Sequence, residues 1–127
     1  EMTLKAVETE DEWQHINTEM LGRLSKMTKR EHFIETLIEK FLKSTAKKIE
    51  DLVQATYQHD TQAFSDSIHA LKGSAISVGA TAIYQTCITI EQHNLTPEVM
   101  RYNIKTLKHD FQESSQELNR YIQMHSS

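Results

Sequence analysis

The chain has 127 residues with only three glycines and one proline, so few positions can break a helix or form a tight turn. Its formal net charge of −4 comes from mixed acidic and basic residues without a basic block, which argues against a nucleic-acid partner. No apolar stretch approaches the length of a membrane span, so we expect this domain to make no membrane contact. The composition predicts an all-α protein.

Start signals and apolar spacing predict the first two helices. Residues 1–16 are polar and acidic and are expected to form an N-terminal extension, ahead of a domain over residues 17–124. Asn17 can cap a short helix that runs to about Met27. The run from Thr28 to Glu31 matches a capping box and predicts a long second helix that ends at about Tyr57.

The third helix carries the most regular apolar stripe. Asp60 can cap it, and Gly79 is expected to end or bend it. Apolar residues recur at steps of four, three, four and three, as on one face of a helix: Phe64, Ile68, Leu71, Ala75 and Val78.

Two further helices complete the predicted domain. A fourth helix is expected from about Thr81 to His93, with Ile83, Cys87 and Ile90 facing inward. Thr96-Pro97 then gives a capping hydroxyl followed by proline at the first helical position, which starts a last helix that frays after Met124. Amphipathic helices with short connections predict an antiparallel up-down four-helix bundle with a short additional N-terminal helix.

His69 is predicted to stand clear of the core. At about 100° per residue it lies roughly 140° from the centre of the apolar stripe, with Lys72 near 80° and Gly73 almost opposite the core. An exposed histidine is usually only a solvated side chain, and we interpret six others in that way: His15, His32, His59, His93, His109 and His125. Gly73 favours a function for His69, because a mid-helix glycine costs about 1 kcal/mol relative to alanine and indicates close approach of another group.

Other reactive side chains form no recognisable site. No two histidines are three or four residues apart, so we expect no metal. Cys87 lies on the inward stripe of the fourth helix and is interpreted as a small core residue.

The motif around His69 resembles the signature of the histidine-containing phosphotransfer (HPt) family. The family pattern has an apolar residue two positions after the histidine, lysine at three, glycine at four, small residues next, and Gly-Ala about ten on. Here these positions are His69, Leu71, Lys72, Gly73, Ser74-Ala75 and Gly79-Ala80. The resemblance covers about residues 17–122.

The resemblance implies a phosphorelay intermediate that takes a phosphoryl group from an aspartyl phosphate on one receiver domain and passes it to another. His69 would be the acceptor, Lys72 would balance the phosphate charge and Gly73 would clear space. Glu91 matches a family position from which Glu or Gln can hydrogen-bond the imidazole. The domain is expected to need no cofactor of its own, while its partner receiver supplies magnesium.

The resemblance also implies a docking surface and a context. Candidate docking residues are Leu24, Phe33, Leu37 and Ile76, although each could equally belong to the core. We expect a monomeric, cytoplasmic domain, namely the C-terminal HPt domain of a hybrid sensor kinase that tethers it to the inner membrane. Two alternatives stay open at this point: the phosphorylatable histidine domain of a chemotaxis-type kinase, and a non-catalytic helical adaptor.

Overall fold

The computed structural model describes residues 13–28 and 32–125, and all regular structure within those ranges is helical. The helices are α1 (Thr18–Met27), α2 (Phe33–Tyr57), α3 (Thr61–Ser77), α4 (Thr81–Glu91) and α5 (Pro97–His125). Helices α2 to α5 each pack against the next, and α5 also packs against α2, which closes the bundle. The predicted four-helix bundle with an additional N-terminal helix is confirmed.

Three of the predicted helix starts carry the expected side-chain caps. Asn17 accepts a hydrogen bond from the Met20 N–H at 3.0 Å, and Asp60 accepts one from the Ala63 N–H at 3.0 Å. Thr96 Oγ1 accepts from the Val99 N–H at 3.2 Å at the start of α5. Each oxygen satisfies an N–H that has no partner within its helix.

The capping box at Thr28 does not start α2. Thr28 is the extended C-terminal cap of α1, and α2 begins only at Phe33, after His32. The backbone at His32 is left-handed, with φ of 59°, and its side chain forms no capping hydrogen bond. The predicted start is wrong because His32, and not Thr28, directly precedes the first helical residue. Lys29, Arg30 and Glu31 lie outside the described residues.

The core is built around α3. All five residues of its predicted stripe are at most 2% exposed. They pack in one apolar cluster with the inward residues of the other helices, among them Leu21, Ile38, Leu52, Ile83, Cys87, Ile90, Met100, Leu107 and Leu118. Burial of each large apolar side chain contributes about 1.5–3 kcal/mol, so this continuous stripe fixes the orientation of α3. No described helix is both long and apolar enough to cross a membrane.

The segment that precedes α1 is tied to the bundle. The Asn17 N–H donates to the Gly79 carbonyl at 2.7 Å, and the Ala82 N–H donates to the His15 carbonyl at 3.2 Å. Ile16 is 4% exposed and belongs to the core cluster. These contacts fix the start of α1 against the turn between α3 and α4.

The interpretation of His15 as a solvated side chain is wrong. The His15 side chain is 20% exposed, and its ring contacts the Glu117 carboxylate on α5. The solvated interpretation fails because Glu117 provides a partner inside the fold, on a buried polar face of α5 that also carries Asn103, Asp110 and Ser114.

Candidate functional site

His69 stands on the outer surface of α3, as the helical geometry predicts. Its side chain is 76% exposed, although its neighbours Ile68 and Leu71 are fully buried. The ring is oriented by α4, since Nδ1 lies 3.5 Å from Glu91 Oε2 at the last residue of that helix. This contact places Nδ1 toward the protein and leaves Nε2 as the ring nitrogen that does not face the carboxylate.

Lys72 and Glu91 form an ion pair beside this imidazole. Lys72 Nζ donates to Glu91 Oε1 at 2.7 Å, and the two side chains are 27% and 30% exposed. The hydrogen bond with Glu91 raises the pKa of Lys72 above its ordinary value. The same hydrogen bond is the main reason that the pKa of Glu91 lies below its ordinary value, and the contact with His69 acts in the same direction. The site therefore holds one ammonium and one carboxylate next to the ring.

Gly73 leaves an open patch of helix backbone about one helical turn after His69. Among the residues that the structure describes, a Cβ atom built on Gly73 would meet no atom within 4 Å, apart from its two chain neighbours and the nearby backbone of its own helix. Packing within the bundle therefore does not require glycine here. The open space above this residue is accessible to another molecule.

The predicted docking residues differ in exposure. Ile76 is 44% exposed on α3, one helical turn after Lys72. Leu24 on α1 and Phe33 on α2 are half-buried, and Leu37 is half-buried and packs against the core. Of these four residues, only Ile76 is exposed, and the other three are half-buried.

Cys87 lies beneath this face, on the inner side of α4. Its side chain is fully buried, and burial raises the pKa of its thiol to about 12. The thiol is therefore protonated at neutral pH and is not a nucleophile. The prediction that Cys87 is a core residue is confirmed.

The structure brings together three of the four predicted chemical residues by direct contact. His69 and Lys72 both contact Glu91, and Gly73 follows Lys72 on the same helix. The ion pair itself was not predicted, because Lys72 was expected to face only an incoming anion. The sequence signal for this pair was the opposite charge of Lys72 on α3 and Glu91 on α4. Within the described ranges, no group of three His, Cys, Asp or Glu side chains is arranged to hold a metal ion.

Comparison with known proteins identifies the class of this fold and site. A family model described as the Hpt domain matches residues 36–120. The chain belongs to the Hpt domain family. Membership assigns it a histidine phosphotransfer role in a phosphorelay, and domains of this family relay phosphoryl groups with receiver domains.

Solved structures share the fold at low sequence identity. A histidine-containing phosphotransfer protein from rice is 19% identical with a TM-score of 0.80, over 96% of this chain and 92% of that one. Histidine-containing phosphotransfer protein B (HptB) from Pseudomonas aeruginosa PAO1 is 18% identical with a TM-score of 0.78, over 89% of this chain and 98% of that one. A search of curated proteins gave no significant match.

Proposed function

We propose that His69 is the phosphoryl acceptor of this domain. The observation that carries the proposal is the position of its ring, which is 76% exposed while Glu91 contacts only Nδ1. A carboxylate at Nδ1 favours the tautomer with the proton on that nitrogen, and Nε2 then carries the free lone pair. Nε2 is therefore the nucleophile.

The reaction is an in-line transfer from a receiver aspartate. The Nε2–phosphorus bond forms as the bond between phosphorus and the aspartyl oxygen breaks, and the bond electrons leave with the aspartate. The Nδ1 proton stays on the ring, close to Glu91. Charge accumulates on the three phosphoryl oxygens in such a transfer, so positioning and electrostatics supply most of the catalysis.

Lys72 and Gly73 serve the same step in different ways. The Lys72 ammonium is held beside the ring and can donate a hydrogen bond to one phosphoryl oxygen while forming an ion pair with it. Gly73 has no side chain, and the space above it is open for the receiver surface that carries the aspartate. Leu24, Phe33, Leu37 and Ile76 are the candidate contacts of that receiver, of which Ile76 is the most exposed.

The domain depends on its partners for the rest of the chemistry. It needs no cofactor of its own, and the receiver holds the magnesium ion that neutralises phosphoryl charge. We place the domain in the cytoplasm as a monomer, at the C-terminal end of a hybrid sensor kinase. The phosphate then comes from an aspartate rather than from ATP.

The test uses a receiver carrying radiolabelled aspartyl phosphate, with wild-type protein and the His69→Gln variant. Label should move to the wild type only, in an acid-labile and base-stable linkage. His93→Gln is the matched control, because His93 is also an exposed histidine but lies in the turn after α4, and this variant should accept label normally. Label on the His69→Gln variant would rule out His69 as the acceptor.

The two alternatives give different results in the same assay. A non-catalytic adaptor would bind the receiver without taking label. The histidine domain of a chemotaxis-type kinase would take label from ATP when its kinase domain is added. Either result in place of receiver-dependent labelling would overturn the proposal.

A further inference from the structure

We propose that Glu91 is a positioning residue that holds Lys72 away from the phosphoryl group. It thereby raises the free energy of phosphorylated His69 and favours transfer of the phosphoryl group to a receiver. The inference rests on the proposed role of His69 as acceptor. It assigns Glu91 a second action, separate from orienting the imidazole. That action determines how the phosphoryl group is shared between this domain and its receiver.

The two oxygens of the Glu91 carboxylate have different partners. Oε1 accepts from the Lys72 ammonium at 2.7 Å, and Oε2 lies 3.5 Å from His69 Nδ1. The Lys72 side chain is only 27% exposed, so its stem lies against the bundle and its ammonium is held at the carboxylate. A phosphoryl group on Nε2 therefore meets a lysine that already has an anionic partner.

The charges of the site differ before and after transfer. Before transfer, the Lys72 ammonium and the Glu91 carboxylate cancel beside a neutral ring. Transfer adds a group that carries about two negative charges. Lys72 must then leave or share Glu91, and the carboxylate remains close to the new dianion. Both effects raise the free energy of the phosphorylated state relative to a site with a neutral residue at position 91.

The same carboxylate leaves the path of the reaction intact. The transfer exchanges a phosphorus–oxygen bond for a phosphorus–nitrogen bond, and no proton needs to leave the site. Glu91 stays at Nδ1 in both directions and keeps Nε2 as the reacting nitrogen. Its charge therefore lowers the stability of the product without removing the nucleophile, which suits a carrier that must release what it accepts.

Glu91→Gln tests this inference, because glutamine preserves size and an oxygen acceptor but removes the charge. Forward and reverse transfer rates with one receiver are measured by rapid quench, and their ratio gives the equilibrium constant. We expect the variant to shift this constant toward phosphorylated His69 by about three- to tenfold, allowing for screening at an exposed site. Glu98→Gln, which also removes one exposed carboxylate, should leave the constant unchanged.

A double-mutant cycle with Lys72→Gln identifies the route. If Glu91 acts by holding Lys72, the effect of Glu91→Gln should fall to less than half on a logarithmic scale when Lys72 is absent. An equal effect in both backgrounds, no effect, or a shift toward the receiver would overturn the inference. Failure of the wild type itself to take label would overturn the proposed function as well, so the two failures are distinguishable.

Discussion

His15 and Glu117 are joined by two contacts although 102 positions separate them in the chain. The His15 N–H donates to Glu117 Oε1 at 2.9 Å, and the His15 ring contacts Glu117 Oε2. Trp13 packs edge-on against Tyr121, and the Arg120 guanidinium lies over the Trp13 ring. The segment ahead of α1 is thereby fixed to the C-terminal half of α5.

We expect Glu117→Ala to loosen this segment. The change leaves the backbone N–H of His15 without its acceptor, and loss of a partly buried hydrogen bond to a charged group costs about 1–3 kcal/mol. Urea denaturation should show a lower free energy of unfolding by that amount. Trp13 is the single tryptophan, so its fluorescence should shift toward that of a solvent-exposed indole.

Glu113→Ala is the matched control for this change. Glu113 lies one turn earlier on α5 and is half-exposed. The Glu113→Ala variant should leave the fluorescence spectrum of Trp13 unchanged. Equal losses of stability in the two variants would contradict a specific role for the contact between His15 and Glu117.

Gly73 and Gly22 provide a matched pair for separating stability from function. Each lies within a helix, and a Cβ on either would meet no described atom within 4 Å beyond its chain neighbours and its own helix backbone. Because glycine costs about 0.5–1 kcal/mol relative to alanine in a helix, both Gly22→Ala and Gly73→Ala should raise the free energy of unfolding by that amount. Thermal or urea denaturation provides the measurement.

Of the substitutions at Gly22 and Gly73, only those at Gly73 should slow phosphoryl transfer from a receiver. A receiver that approaches His69 meets any side chain placed there, and small displacements of the reacting groups reduce rates strongly. Gly73→Leu should therefore slow transfer from a phosphorylated receiver by about ten- to a hundredfold, without loss of stability. A Gly73→Leu variant that transfers at the wild-type rate would show that the receiver does not need this space.

Gly79 is required for a different reason, which is backbone conformation. Its φ is +73°, and an added Cβ would lie 3.1 Å from the Asn17 carbonyl oxygen. The left-handed conformation alone costs an alanine about 1–2 kcal/mol. Gly79→Ala should lower the free energy of unfolding by at least that amount. Gly79→Asn should lose less, since asparagine tolerates this conformation; the reverse order would contradict this explanation.

Local signals predicted the fold because they act within a few residues. Asn17, Asp60 and Thr96 each cap the N–H three residues later, so their effect is visible in the sequence. The start of α2 was not predictable in this way. The left-handed backbone at His32 belongs to the connection between two packed helices, and no side-chain cap marks it.

In the candidate site, too, features within one helix were predictable from the sequence, whereas features that depend on the packing of two helices were not. His69, Lys72 and Gly73 lie on one helix, so periodicity alone places them on the outer side of α3. Glu91 lies on the next helix, and only the family resemblance connected it with His69. The pairing of Lys72 with Glu91 depends on how α3 and α4 pack, which periodicity within one helix does not determine.

Asp110 is a buried carboxyl whose titration should be visible in the pH dependence of stability. Burial raises its pKa above the ordinary value of 3.8, while the hydrogen bond from Thr86 partly opposes that rise. A raised pKa means that the folded state binds the proton more tightly than the unfolded state. Ionisation of Asp110 therefore destabilises the fold above its folded pKa, and this penalty disappears as the pH falls to the unfolded value.

Asp110→Asn removes the charge and keeps an oxygen for Thr86. We expect this variant to be more stable than the wild type at about pH 7, with the difference shrinking as the pH approaches about 4. Thr86→Val removes the bond that favours the ionised form, so it should be less stable at neutral pH and recover more steeply on acidification. Urea denaturation at a series of pH values measures both curves, from which the wild-type curve is subtracted to remove the other titrating groups. An Asp110→Asn variant that is less stable than the wild type throughout this range would mean that the negative charge, held by Thr86 and the nearby His109 and His15, stabilises the fold.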